Sequence, residues 1–420
     1  MEITKLYQQN TYLKEWEATV TQVFPEDSDT GNMIVTLDRT AFFPEGGGQS
    51  CDTGYIGDFA VTDVQEHQGQ VYHTVSLKSY CGETVRDGMP KALIPGTRLK
   101  CEIDWDRRFD NMQRHCGEHI LSGIFHSMFG GVNRGFHMGS DYMTIDISLE
   151  GDPEITEITY SDALAAERKA NEVIWSDAPV TVMRFDTREE AEKMPLRKAL
   201  AFDEDISIVS VGSIENASDC VACCGTHPSS AGQVGLIKIY KVEKYKSMFR
   251  IYFEAGQRAL GDYDKKHDML TDLSNRYSSS IEDFPKKLRA QEEKLSAAKD
   301  ELFHLKKALM ENECEKLDAL LQSSQDSTIV FRLAHFSTDD AFNMGKTYMG
   351  KTDRLIMLYA EKDSSYMLIS DGTVNCGSLV KEYASFYKGK GGGNKVSARA
   401  IFANDEDAGL FADLIKKHLQ

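Results

Sequence analysis

His115-Cys116-Gly117-Glu118-His119 places two imidazoles four residues apart. On a helix that spacing sets them one turn apart on one face, so both can reach one ion at a Zn–N distance of ~2.0–2.1 Å. About a hundred residues on, Cys223-Cys224-Gly225-Thr226-His227 repeats the interval with a thiolate and an imidazole. Gly225 lets the backbone turn tightly between them, and a turn is what brings two such side chains to one ion. Joined, the motifs offer His115, His119, Cys223 and His227, a four-ligand set that suits one zinc ion per chain. Cys220 and Cys224 crowd the second motif, so a combination using either of them, or a purely structural site, stays open at this point.

The signals around these motifs define the fold class. Residues 1–100 read as β-rich, with alternation and β-branched residues in Glu17–Phe24 and Met33–Leu37. A helix is expected from Asp106, as N-cap, to Phe129, with Phe109, Met112, Cys116, Ile120, Ile124 and Met128 on its core face. Residues 132–255 interleave a hairpin over Gly135–Ser148, a helix over Leu164–Trp175 and further strands, which gives an α+β class. From 256 to about 325 the chain turns helical and charged, with Leu288, Leu295, Leu302 and Leu309 at intervals of seven. That pattern predicts a helical hairpin or short coiled coil acting as a spacer or dimer element, or else a helix pair packed on its own domain, with Pro285 breaking or starting a helix. Residues 326–420 return to α/β. The expected organisation is a barrel-like β subdomain (1–100), a zinc-binding α+β core (101–255), the helical spacer and a small C-terminal α/β domain.

At 420 residues with 41% hydrophobic content, the chain can bury several cores and is not a disordered one. No apolar run approaches the roughly 20 residues of a membrane helix, and the polar start does not read as a signal peptide. Nine cysteines, two of them adjacent, fit a reducing cytosol with some thiols on metal. The net charge of −18 weighs against broad nucleic-acid affinity. Still, Lys381–Arg399 carries five basic residues against one acidic, enough for a local patch.

Two further motifs bear on chemistry. Thr40-Ala41-Phe42-Phe43-Pro44-Glu45-Gly46-Gly47-Gly48-Gln49 combines three glycines, which let backbone N–H groups approach a ligand or form a turn, with a hydroxyl and an amide. Lys388-Gly389-Lys390-Gly391-Gly392-Gly393-Asn394-Lys395 offers backbone and lysines suited to phosphate, or a plain surface loop. The first motif also matches H-x-x-E-H, the inverted zinc-peptidase pattern, with Glu118 as general base and Glu189, Glu190 or Glu192 as an acidic ligand. That reading leaves Cys223 and His227 unexplained.

The order of Thr-x-Phe-Phe-Pro-Glu-Gly-Gly-Gly-Gln, His-x-x-x-His, Gly135-Phe136-His137-Met138-Gly139 and Cys-x-Gly-Thr-His resembles the editing domain of alanyl-tRNA synthetase. It is still more similar to the free-standing alanyl-tRNA editing proteins, the AlaX group. The likeness covers roughly residues 1–255. The helical spacer and the segment around Gly391 resemble the C-terminal DHHA1-type domain, which makes this the long form. No aminoacylation domain precedes the matched stretch, which points away from a synthetase.

The resemblance implies a trans-editing deacylase that hydrolyses mischarged alanine tRNA, carrying serine or, second, glycine. It implies His115, His119, Cys223 and His227 as zinc ligands, Gln49 in the editing pocket, and Thr40 in telling a serine hydroxyl from the methyl of alanine. Gly46, Gly47 and Gly48 would approach the substrate. Lys390, Gly391, Gly392 and Gly393 would hold tRNA, and the helical or C-terminal region would support a homodimer. In this reading Glu118 has no chemical duty, and His137 is a buried strand residue. Cys224 departs from the family's usual glycine, and Pro228 from a small aliphatic residue. A tRNA-binding factor with a structural zinc is the non-enzymatic alternative.

Overall fold

The computed structural model describes all residues except 1–2, 27–30, 79–89, 152–153, 202 and 420. The chain divides into two compact units, residues 1–273 and 274–420.

In the first unit six strands close on themselves: β1 (Glu15–Pro25), β2 (Asn32–Leu37), β3 (Gly54–Ile56), β4 (Phe59–His67), β5 (Gln70–Ser76) and β6 (Arg98–Ile103). Their order around the ring is β1-β2-β5-β4-β3-β6, and every pairing is antiparallel. Closure removes the exposed sheet edge. Alternate residues of these strands fill the interior, among them Ala18, Val20, Val35, Leu37, Val64 and Val75.

β6 runs into the long helix α1 (Trp105–Phe129). Its N-cap is Asp104, whose carboxylate accepts from the Arg107 N–H, not Asp106, which sits inside the first turn. A carboxylate must lie just outside the helix to reach the orphan N–H groups, which is why the earlier aspartate serves. Met112, Cys116, Ile120 and Ile124 of α1 are buried, as the helical spacing predicts. Cys116, Ile120 and Ile124 pack with β7 (Val132–Met138) and β8 (Met143–Ser148), an antiparallel pair, and with α2 (Tyr160–Trp175). β9 (Val180–Thr187), β10 (Glu204–Val211) and β11 (Asp219–Ala222) form a three-stranded antiparallel sheet. β12 (Ile237–Tyr245) and β13 (Met248–Ala255) extend the β7–β8 sheet, in the order β12-β13-β8-β7. The helix α3 (Gly256–Tyr277) follows.

α1 is locked to the glycine-rich segment by Arg108. Its guanidinium is fully buried, pairs with the Asp52 carboxylate, and donates to the carbonyls of Ala41 at 2.6 Å and Thr11 at 2.8 Å. Asp52 in turn accepts from the Phe43 N–H at 2.6 Å. A buried charge is tolerated only when its donors are satisfied in this way, and breaking such a pair costs about 3–5 kcal/mol.

The second unit contains α4 (Phe284–Ser323), with Pro285 in its first turn. Leu288, Leu295, Leu302, Leu305 and Leu309 all stand exposed on it. A five-stranded sheet follows, built from β14 (Thr328–Leu333), β15 (Leu355–Ala360), β16 (Ser365–Ile369), β17 (Lys390–Gly393) and β18 (Ser397–Ile401). The order is β14-β15-β16-β18-β17, with only β14 and β15 parallel. Lys390–Gly393 is therefore an edge strand and not a loop. A Cβ on Gly391 would fall 1.9 Å from the Arg399 carbonyl oxygen, so glycine is what lets this strand lie against β18. Among the described residues no helix is long and apolar enough to cross a membrane.

Candidate metal centre and its cavity

α1 brings His115 and His119 side by side, with ring centroids 5.1 Å apart. The segment after β11 returns to them. Cys223 Sγ lies 3.4 Å from His115 Nε2 and 3.7 Å from His227 Nε2. The ligand atoms of His115, His119, Cys223 and His227 all fall within 4.8 Å of one another. A tetrahedral zinc with ordinary bond lengths would separate sulfur from nitrogen by roughly 3.6 Å, so these spacings fit. Among the described residues the buried His119 Nε2 has no hydrogen-bond partner. An orphaned buried polar atom facing Cys223 in this way is accounted for by an ion. The four residues therefore fit a metal, and the donor set favours zinc.

Outer partners fix two of the imidazoles, those of His115 and His119. His115 Nδ1–H donates to Gln49 Oε1 at 2.9 Å, which leaves Nε2 free to face the ion. Gln49 is then held twice by Thr226: its oxygen accepts from the Thr226 N–H at 3.0 Å, and its amide donates to Thr226 Oγ1 at 2.8 Å. His119 Nδ1–H donates to Asp219 Oδ2 at 2.9 Å, and Arg197 pairs with both oxygens of that carboxylate. Such second partners set ring orientation and raise ligand basicity. Burial pulls the His119 pKa down, but the Cys223 thiolate and the Asp219 carboxylate outweigh it and hold it well above the ordinary imidazole value. Burial raises Cys223, yet the facing imidazoles win and keep it a thiolate, well below the usual thiol range. Burial holds His227 neutral, at about 4.

The glycine segment explains how Gln49 reaches this group. Gly46 and Gln49 exchange backbone hydrogen bonds at 3.1 and 3.0 Å, closing a two-residue turn. The central residues Gly47 and Gly48 both have positive φ, +61° and +83°, as a type I′ turn requires. The turn presents the Gln49 side chain to His115, and Gln49 is fully buried. Gly225 is needed for a different reason: a Cβ there would lie 2.3 Å from His115 Cε1.

The group sits in the wall of a cavity of about 1210 Å³, whose lining residues lie between Lys5 and Gly225. Phe43, Gly46 and Gly47 come from the glycine segment, and Glu118, Asn133 and Phe136 from α1 and β7. Cys224 is exposed and lines the cavity, whereas Cys220 is buried on β11 outside the four-ligand group.

Thr40 does not line the cavity. It is fully buried at the end of the barrel, donating to His73 Nε2 at 2.9 Å and accepting from the Phe42 N–H at 3.1 Å. His73 Nδ1–H donates to the Val35 carbonyl, which fixes that tautomer, and burial holds the ring neutral at about 4. His137 is exposed on β7, not buried: strand alternation turns its neighbour Met138 inward and His137 out. Glu118 is buried in the cavity wall. Asp219, Arg197 and Thr226 escaped the sequence reading. Only Thr226 carried a signal, its place between Gly225 and His227. The group includes none of Glu189, Glu190 or Glu192, so the peptidase pattern lacks its acidic ligand.

Residues 2–105 match the family described as tRNA synthetases class II (A), and residues 206–252 the threonyl and alanyl tRNA synthetase second additional domain. The chain is 28% identical to the alanyl-tRNA editing protein AlaX-L of Pyrococcus horikoshii, over the whole of both chains. It is 34% identical to the AlaX-M protein of Methanosarcina mazei, across 61% of this chain and 98% of that one. Against the alanine–tRNA ligase of Pyrococcus abyssi the identity is 30%, over 94% of this chain but only 41% of the ligase. Matched end to end by one editing protein and covering nearly all of another above 30% identity, the chain belongs to the alanyl-tRNA editing proteins.

Proposed function

We propose that the chain is a trans-acting deacylase that hydrolyses the ester joining a wrong amino acid, serine first and glycine second, to the 3′ end of alanine tRNA. The observation that carries this is the four-ligand group braced by the Gly47–Gly48 turn in the wall of a large cavity, in a chain whose relatives are named alanyl-tRNA editing proteins. The peptidase and the non-enzymatic readings are not favoured by those relatives.

Bound at the group, a zinc ion would supply a Lewis acid beside the ester. The chain's own residues do the rest. Gln49 and Asp219 hold His115 and His119 in one tautomer and one orientation. Gly46 and Gly47 carry no side chain at the cavity wall, so the substrate can approach backbone. Aminoacyl esters are activated, and positioning alone supplies much of what hydrolysis needs. Alanine is spared because a pocket that pairs the serine hydroxyl leaves polar groups unpaired when a methyl enters, at a cost of about 1–3 kcal/mol. Thr40 acts on that choice from behind the wall, by holding the Phe42–Phe43 backbone against His73.

In the second unit, Lys390 and the Gly391–Gly393 strand, with Lys388 and Lys395 beside them, suit phosphate contact. The exposed leucines of α4 suit a second copy of the chain. The reading places the protein with its tRNA in the cytosol. Purified protein should release glycine as well as serine from alanine tRNA, with serine faster. Release of neither from metal-loaded protein would overturn the proposal.

A further inference from the structure

Glu118 is 6% exposed, lines the metal cavity and precedes the ligand His119. Two donors converge on a single oxygen of its carboxylate. Ser122 Oγ donates to Oε1 at 2.6 Å and Asn133 Nδ2 at 2.7 Å, while Asn133 also donates to Ser122 Oγ at 2.9 Å. The other oxygen makes no hydrogen bond among the described residues, and no lysine or arginine forms an ion pair with the carboxylate. The nearby cation, Arg197, is already paired to Asp219. Glu118 lines the cavity, so its second oxygen is where a cation of a bound ligand can be met.

Charge says what kind. With a divalent ion bound, the metal and the Cys223 thiolate sum to one positive charge, and Asp219 cancels Arg197. Glu118 brings this set of groups to neutrality. An aminoacyl ester carries an α-ammonium two bonds from the carbonyl carbon that is attacked, and an uncompensated positive metal group would repel it.

Resting on the editing reading above, we propose that Glu118 receives the α-ammonium group of the aminoacyl ester, with Ser122 and Asn133 aiming its free oxygen into the cavity. The carboxylate thereby sets the ester carbonyl relative to the metal group and selects esters with a free α-amine. It is a binding group and takes no proton in this account.

The test uses metal-loaded Glu118→Gln. The glutamine oxygen can keep the Ser122 and Asn133 bonds while its NH₂ faces the cavity, so the charge is removed with the packing kept. Two probes are compared: seryl-tRNA(Ala) and N-acetylseryl-tRNA(Ala). Binding of the non-hydrolysable 3′-seryl-amide of 3′-amino-3′-deoxyadenosine and of its N-acetyl form is measured alongside. Wild-type protein should prefer the free amine in both assays. In Glu118→Gln, hydrolysis and binding of the free-amine forms should fall roughly 10- to 100-fold. The acetylated forms should change less than about 2-fold, and metal content should stay the same. An equal loss on both substrates, or no loss on either, overturns the proposal. Should Glu118→Gln fail to fold, Glu118→Asp is read in its place. It keeps the charge and should retain part of the amine preference, and an equal loss on both substrates again overturns the proposal. If the wild-type protein leaves seryl-tRNA(Ala) intact, the editing reading falls and takes this proposal with it. If it hydrolyses seryl-tRNA(Ala) without preferring the free amine, only the role of Glu118 falls.

Discussion

Thr40 and Gln49 flank one glycine segment, and each hydrogen-bonds a histidine, yet the two lie on opposite sides of the cavity wall. Thr40 meets His73 in the barrel interior, where burial keeps the imidazole neutral and nothing else can reach it. Gln49 meets His115, whose other nitrogen faces a thiolate and two more imidazoles. What separates them is the type I′ turn at Gly47–Gly48, which points the chain after it at the metal group. The residue type therefore does not assign the role. The second partner of the histidine does.

This contrast breaks most severely at the metal group itself. Cys223→Ala should remove nearly all bound metal and deacylation, because a closed four-ligand site does not survive loss of its thiolate. Metal analysis of the purified variant checks this, and the barrel should remain folded.

The barrel histidine should respond to pH in the opposite region. Folded His73 titrates at about 4, below its ordinary 6.5. As pH falls the unfolded chain takes up the proton first, so stability is complete above 6.5 and is lost toward 4. The loss amounts to about 3 kcal/mol. Urea unfolding across that range should show it, and His73→Gln should flatten the part of the slope this ring supplies.

Gln49→Ala should weaken metal affinity by about 10- to 100-fold. It frees His115 Nδ1–H and leaves the Thr226 N–H unpaired. A chelator competition titration measures it. Thr40→Val should do the reverse. It leaves His73 Nε2 and the Phe42 N–H without partners and costs about 1–2 kcal/mol of stability, with metal affinity unchanged. If both variants lose metal alike, the wall between the two histidines is not the divide described here.

Much of this was legible in the sequence wherever the signal was local. The helical spacing of Met112, Cys116 and Ile120 gives α1, and the alternation of Met143, Ile145 and Ile147 gives β8. The four candidate ligands, which the structure brings together, could be picked out because each motif carries its pair within five residues. What escaped is long-range. Asp219 lies a hundred residues from His119, and Thr226 177 from Gln49. No periodicity links residues that only the folded chain brings together. The strand at Lys390–Gly393 escaped for another reason: glycine carries no side-chain pattern, and its pairing with β18 shows only in the backbone.

The central claim is that the cavity edits a tRNA ester, and one assay addresses it most directly. Purified, metal-loaded protein is mixed in parallel with seryl-tRNA(Ala) and alanyl-tRNA(Ala), and amino acid release is followed in each. The account predicts rapid release of serine with alanine largely retained, and loss of that activity after chelation. Equal release from both tRNAs, or none from either, would contradict it.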